Sequence, residues 1–288
     1  MRTITMPLGV TVLCASVLAP AGFAQTLPTS QPKYLNVVRE HVKVGRAAEH
    51  SRYEAGWPAA FDRAKSTQAY LALASITGSP EVLYVTPYES HAALEEANKK
   101  EDADPVLSAE LERLQKGDAE YISGVEIMHL AARPDLSHGA FPDVSKIRVY
   151  EITEFHVKPG HESGFAAAAK AYAAAAAKAA PKSSWRTYEV MAGGPGNTYL
   201  VLASYESFGE FDRAMAEGMS IMSSFSTDDA IAMQKFSDDG YVKPPVTNRY
   251  RVDPQQSYVS KAVRDSDPAF WAPKAAAAAK GQAPAKKP

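Results

Sequence analysis

His41-Val42-Lys43-Val44-Gly45 returns 115 residues later as His156-Val157-Lys158-Pro159-Gly160. Further along, Leu83-Tyr84-Val85-Thr86-Pro87-Tyr88-Glu89-Ser90 is echoed by Leu200-Val201-Leu202-Ala203-Ser204-Tyr205-Glu206-Ser207 at a shift of 117. The register survives across a whole unit with two residues inserted, so one module is present twice. A unit of roughly a hundred residues with mixed strands and helices exposes an apolar sheet face, which a second copy on the same chain can cover.

In the first copy, residues 34–44 are rich in β-branched and aromatic side chains and stop at Gly45, which reads as a strand and a turn. Residues 46–65 read as helical, with Tyr53, Trp57 and Phe61 spaced by four, and with a kink or a break into two helices expected at Gly56 and Pro58. Strands over 68–77 and 81–88 are joined through Gly78-Ser79-Pro80. A helix over 91–100 follows, then one started by Asp104-Pro105, then a strand over 125–131. The second copy repeats the order: a strand over 147–157, a nearly polyalanine helix over 161–180, strands over 185–192 and 198–205, helices from Phe208 and Asp228, and a last strand over 248–252. Residues 254–271 show no clear period and are expected to run back over the body of the protein.

Strand-helix-strand-strand-helix-strand is the ferredoxin-like arrangement. With the early strand ending in His-Val-Lys-x-Gly and the Tyr-Glu-Ser that leads into a helix, the chain over about residues 33–260 resembles the dimeric α+β barrel superfamily. Within it, the resemblance is to the tandem-domain relatives of the NIPSNAP and antibiotic-biosynthesis-monooxygenase-like families. It implies an α+β fold in which two tandem ferredoxin-like modules, at 33–136 and 146–260, pack sheet to sheet as a dimeric α+β barrel within one chain, a pseudo-dimer. Some members of that superfamily oxidise aromatic substrates without a metal through an Asn, Trp and His. Asn36, Trp57 and His41 exist here, at a spacing that does not match. Others bind haem through one His, and no residue here carries that signature.

The first residues read as an export signal, with Arg2, an apolar run over 8–18 and Gly22-Phe23-Ala24 before a cleavage point at Ala24/Gln25. A periplasmic or secreted protein is expected, with no transmembrane segment. The only cysteine, Cys14, lies inside that signal, which removes disulfides and thiolate chemistry from the mature chain. Arg2 and the tail lysines 274, 280, 286 and 287 supply five positive charges to a net of -2, so the remainder carries about -7. An acidic body excludes nucleic acid as the partner, since phosphate binding needs Lys and Arg. The Ala-, Lys- and Pro-rich tail at 274–288 is low-complexity and expected to be disordered.

Strand alternation places Arg39 and His41 on one face with Leu35 and Val37, and Glu154 and His156 on one face with Tyr150 and Ile152. The two histidines are equivalent in the repeat and can project into one cavity, where a His beside a carboxylate serves as a general base. Arg39, His41, Glu154 and His156 are therefore the candidate catalytic residues; the alternative is that both histidines end their strands at the rim and bond locally. Tyr70, Tyr84, Tyr150, Trp185 and Tyr188 are candidates for lining a pocket for a flat ligand, and equally candidates for filling the barrel. The seven histidines show no HxH or HExxH spacing, so the sequence calls for no metal and no cofactor. Gly193-Gly194-Pro195-Gly196 reads as a hairpin turn rather than a phosphate cradle. The readings that follow are a small-molecule binder holding an apolar or aromatic ligand between the modules, a cofactor-independent monooxygenase-like enzyme, and a structural or interaction protein. The sequence leaves the oligomeric state open.

Overall fold

The computed structural model describes residues 27–272; the expected signal at 1–24 and tail at 274–288 lie outside them. The first half runs β1 (Tyr34–Val42), α1 (Ala47–Glu54), α2 (Gly56–Ala64), β2 (Tyr70–Ser75), β3 (Glu81–Tyr88), α3 (His91–Asp102), α4 (Pro105–Asp118) and β4 (Ile122–Ala132). The second runs β5 (Val149–Val157), α5 (Glu162–Ala179), β6 (Trp185–Ala192), β7 (Thr198–Tyr205), α6 (Phe208–Ser223), α7 (Thr227–Asp239) and β8 (Tyr241–Tyr258). Two short helices, α8 (Lys261–Ser266) and α9 (Pro268–Trp271), follow.

The repeated motifs are structural punctuation. Gly45 and Gly160, which close the two His-Val-Lys-x-Gly stretches, have φ of +82° and +87°, a left-handed turn that a side chain would strain. The serines of the two Tyr-Glu-Ser stretches are helix caps: Ser90 Oγ accepts from Ala93 N at 3.1 Å and Ser207 Oγ from Glu210 N at 3.2 Å. Asp104 caps α4 through the N–H groups of Val106 and Leu107, with Pro105 in the first turn.

The strands close into one barrel in the order β1-β3-β2-β8-β5-β7-β6-β4. The halves are not two sheets laid face to face, as the sequence suggested; they join edge to edge, β2 to β8 with Leu73 opposite Val252, and β4 to β6 with Leu130 opposite Val190. Closure satisfies the edge hydrogen bonds that two separate sheets would leave open. Inward positions alternate along each strand and form one buried cluster that includes Val37, Leu73, Leu83, Leu130, Ile152, Leu200 and Val252. Helices cover the outside: Ala60 of α2 with Leu107 and Leu114 of α4 over the first half, and Phe165, Ala175 and Ala176 of α5 over the second.

Of three local expectations, two hold and one changes. The helix over 46–65 breaks at Ala55, and Pro58 falls in the first turn of α2, where its missing N–H costs nothing. The last strand spans 18 residues rather than 248–252. Its prolines at 244 and 245 lie where the ladder with β5 shifts register, between Glu154 and His156. Beyond it, the segment expected to wander does return over the body: Trp271 is 1% exposed in the main core and its Nε1 donates to Ser145 O at 3.0 Å. Arg148 fixes the same segment, reaching Asp267 Oδ2 at 2.6 Å and stacking over Phe270 at 3.8 Å. Among the described residues no helix is long and apolar enough to cross a membrane.

Candidate functional site

Antiparallel pairing puts the starts of β1 and β5 at one mouth of the barrel and their ends at the other. The inner faces of β1 and β5 pass from apolar to charged along the strand, so the two mouths differ in chemistry.

At the first mouth lies a cavity of about 660 Å³, counting its open entrance, with walls formed by residues such as Leu35, Leu71, Val85, Phe141, Tyr150 and Tyr188. Leu27, Pro28 and Pro32 close it from the N-terminal side. Burial pushes the Tyr150 and Tyr188 phenols up, so both stay protonated donors at any ordinary pH. No hydrogen bond to the Tyr150 hydroxyl is formed among the described residues, which leaves an unused polar handle on an apolar wall. Arg186 borders the cavity; its Nη atoms donate to the carbonyls of His138, Trp185 and Gly139, while its buried Nε has no hydrogen-bond partner among the described residues. The site therefore suits a neutral apolar or aromatic molecule with one acceptor.

Of the five aromatic candidates, Tyr150 and Tyr188 stand in this wall and Tyr70 borders it. The Tyr70 ring sits among Phe61, Tyr84 and Tyr258 under α2. Tyr84 and Trp185 belong to the outer face: Tyr84 OH donates to Gln256 Oε1 at 2.8 Å, and Trp185 packs on Tyr172 with its Nε1 on Leu136 O. Strand alternation alone separates them, because odd and even positions face opposite sides.

The second mouth gathers all four candidate catalytic residues. Arg39 Nη2 donates to Glu154 Oε2 at 3.3 Å, and Arg39 also faces Glu81 at 3.8 Å and Glu126 at 3.4 Å. His156 Nε2 is hydrogen-bonded to Glu154 Oε1 and its Nδ1 to Thr198 Oγ1 at 3.1 Å. His41 stands 3.2 Å from Glu126 Oε1 and 3.7 Å from Glu81 Oε2. Tyr250 OH donates to Glu81 Oε1 at 2.5 Å. Burial pushes the Glu154 carboxyl up, but Arg39 and His156 outweigh it and hold the group below the usual carboxylate range. The His41 ring is engaged by the Glu126 and Glu81 carboxylates and the His156 ring by Glu154 and Thr198, in a network centred on the ion pairs of Arg39.

Leu35 lines the cavity and His41 lies six residues further along β1, roughly 20 Å at 3.3 Å per residue. Leu83, Leu130 and Leu200, each 2% exposed or less, fill the barrel between them. A ligand in the cavity does not reach either histidine. The Asn36, Trp57 and His41 set is not assembled either: Asn36 and His41 face opposite sides of β1, and Trp57 Nε1 donates to Glu54 Oε1 at 3.0 Å under α1.

A further group escaped the sequence reading. Glu40 on the outer face of β1, His50 and Glu54 on α1, and Asp118 at the end of α4 bring one ligand atom each within 4.8 Å of one another. His50 Nε2 is 3.0 Å from Glu40 Oε2 and 3.6 Å from Asp118 Oδ1. Burial, with Glu40 and Asp118 alongside, pushes the Glu54 carboxyl up to about 9. Burial and Glu40 push Asp118 up to about 6. The only trace in the sequence is His50 and Glu54 one helical turn apart; the other two donors come from distant elements.

No family model and no curated protein matches the chain. Among solved structures, an anthrone oxidase-like protein superposes with a TM-score of 0.52 at 14% identity, over 77% of this chain and 92% of that one. A candidate monooxygenase from Lactobacillus acidophilus NCFM gives 0.48 at 9% identity over 80% and 97%. A mutant chlorite dismutase from Candidatus Nitrospira defluvii gives 0.42 at 8% identity over 82% and 96%. At such identities the likeness is one of fold alone. The chain is a mixed α+β protein whose eight strands close into a barrel, a fold it shares with the anthrone oxidase-like protein.

Proposed function

We propose that this chain is an exported barrel, built from two copies of a ferredoxin-like module related to the NIPSNAP and monooxygenase-like tandem proteins, that binds a small apolar or aromatic molecule. The ligand sits in the cavity at the first mouth, where both halves contribute walls: Leu35, Leu71 and Val85 from one, Tyr150, Tyr188 and Leu202 from the other. The observation that carries this reading is the Tyr150 phenol, without a hydrogen-bond partner among the described residues and set in a mostly apolar wall, a donor placed to orient a ligand that the wall holds by area. Export rests on the signal-like residues 1–24 alone. A panel of neutral aromatic ketones and quinones screened by thermal shift tests it. Stabilisation by members of the panel that Tyr150→Phe weakens is expected; no stabilisation by any of them contradicts it.

The paired His156 and Glu154 favour a second reading, a cofactor-independent oxygenase with His41 or His156 as base. Its substrate has to enter by the charged mouth. Oxygen consumption with phenolic substrates that survives both His41→Ala and His156→Ala rules it out.

A further inference from the structure

We propose that Glu40, His50, Glu54 and Asp118 form a binding site for one divalent first-row transition-metal ion. The site lies outside the barrel, between β1, α1 and α4, and does not depend on the ligand-binding reading.

Four observations support it. The first is geometry: separations of 3.0 and 3.6 Å between His50 Nε2 and its two carboxylate neighbours match the spacing of adjacent donors around such an ion. With metal–ligand bonds of about 2.0 to 2.2 Å, neighbouring donors stand roughly 3 to 3.5 Å apart. The second is Asp118 Oδ1, buried with no hydrogen-bond partner among the described residues on a side chain only 4% exposed, 3.6 Å from His50 Nε2 and on the same carboxyl that the Glu54 side chain approaches. A buried carboxylate oxygen left unbonded is costly unless something fills the gap. The third is charge. Three carboxylates share this interior with a single imidazole, and the ion pairs made by Glu40 and Asp118 among the described residues are with His50. Ionising a carboxylate here means stripping it of water, and a dication bound among the three would supply two positive charges where the imidazole supplies at most one.

The fourth is the surroundings. Trp57 Nε1 holds Glu54 at 3.0 Å, and Tyr84 beside it is fixed by Gln256, whose Nε2 donates to Asp253 Oδ2 at 2.8 Å. Such outer partners orient ligands in metal sites. A cavity of about 640 Å³, counting its open side, is bordered by His50 together with Ser51, Glu81, Arg251 and Asp253.

The donor set selects the ion. One imidazole with three carboxylates and no thiolate suits Mn²⁺, Fe²⁺, Co²⁺ or Zn²⁺, whereas Ca²⁺ and Mg²⁺ favour oxygen alone. Protons shared among the carboxylates are the competing occupant.

The test uses the full chain, stripped with a chelator and titrated with Mn²⁺, Co²⁺ and Zn²⁺ by calorimetry and by the visible absorption of Co²⁺. One equivalent per chain is expected, with the melting temperature raised by roughly 5 °C or more at a hundredfold excess over the dissociation constant. Glu54→Gln and His50→Gln should abolish stoichiometric binding, and Trp57→Phe should weaken it roughly 10- to 100-fold. If His50→Gln fails to fold, Glu54→Gln and Trp57→Phe carry the test. Absence of stoichiometric binding of all three ions to the folded wild type overturns the proposal, as does binding that Glu54→Gln leaves unchanged; the cluster then holds protons only.

Discussion

Arg39 and Glu154 occupy equivalent positions in the two halves of the repeat, 115 residues apart, and their side chains meet at 3.3 Å in the charged mouth of the barrel. The pair ties β1 to β5 across the barrel interior, between strands that are not neighbours in the ladder.

Removing one side of that pair should cost more than removing both. Arg39→Met leaves Glu81 and Glu154 facing each other in a partly buried site, and a loss of about 2 to 3 kcal/mol is expected by urea unfolding. The double variant Arg39→Met with Glu154→Met should recover part of it, with a coupling energy of roughly 1 kcal/mol or more. Strict additivity contradicts the pairing.

Acid should act through Glu154. Its carboxyl is held below the ordinary range in the folded chain, so the unfolded chain takes up the proton first. The group therefore contributes stability above its unfolded value of 4.5 and loses that contribution as the pH falls further. Unfolding midpoints at pH 7 and pH 3 should differ less in Glu154→Gln than in the wild type. An equal difference in both chains removes Glu154 from the acid response.

The returning C-terminal segment should matter to stability. Trp271→Ala empties a fully buried site and gives up the bond to Ser145, so a loss of roughly 3 to 5 kcal/mol is expected. A change below about 1 kcal/mol by urea unfolding would show that the segment is not part of the core.

What the residues gave away and what they hid follow from range. The two glycine turns, the two serine caps and the alternation along β1 and β5 are local, and they were legible because a copy stood beside them for comparison. The inward placement of Arg39, His41, Glu154 and His156 came from the same alternation. Closure through β2–β8 and β4–β6 was not legible, since edge pairing depends on contacts far apart in sequence. β8 was read too short because Pro244, Pro245 and Pro254 look like breakers until their neighbours in the ladder are known. The Glu40, His50, Glu54 and Asp118 cluster draws on three elements, and only the one-turn spacing in α1 marks it. Tyr84 and Trp185 were grouped with Tyr150 by residue type, while the face of the strand decides where each points.

Filling the cavity should abolish binding without destroying the fold. Leu202→Trp places an indole among Leu35, Tyr150 and Tyr188 at a cost of about 1 to 3 kcal/mol, typical of an overpacked site. The ligand-induced thermal shift should vanish while far-UV circular dichroism stays unchanged. A full ligand shift in the folded variant places the ligand elsewhere.

The most direct measurement is methyl NMR of the full chain, labelled at leucine and valine, with a saturating ligand from the aromatic panel. Ligand at the first mouth should move the methyls of Leu35, Leu71, Val85 and Leu202 and leave Val42 and Val157, at the charged end, in place. Shifts confined to Val42 and Val157, or no shift at any methyl, would contradict a ligand held at the apolar mouth.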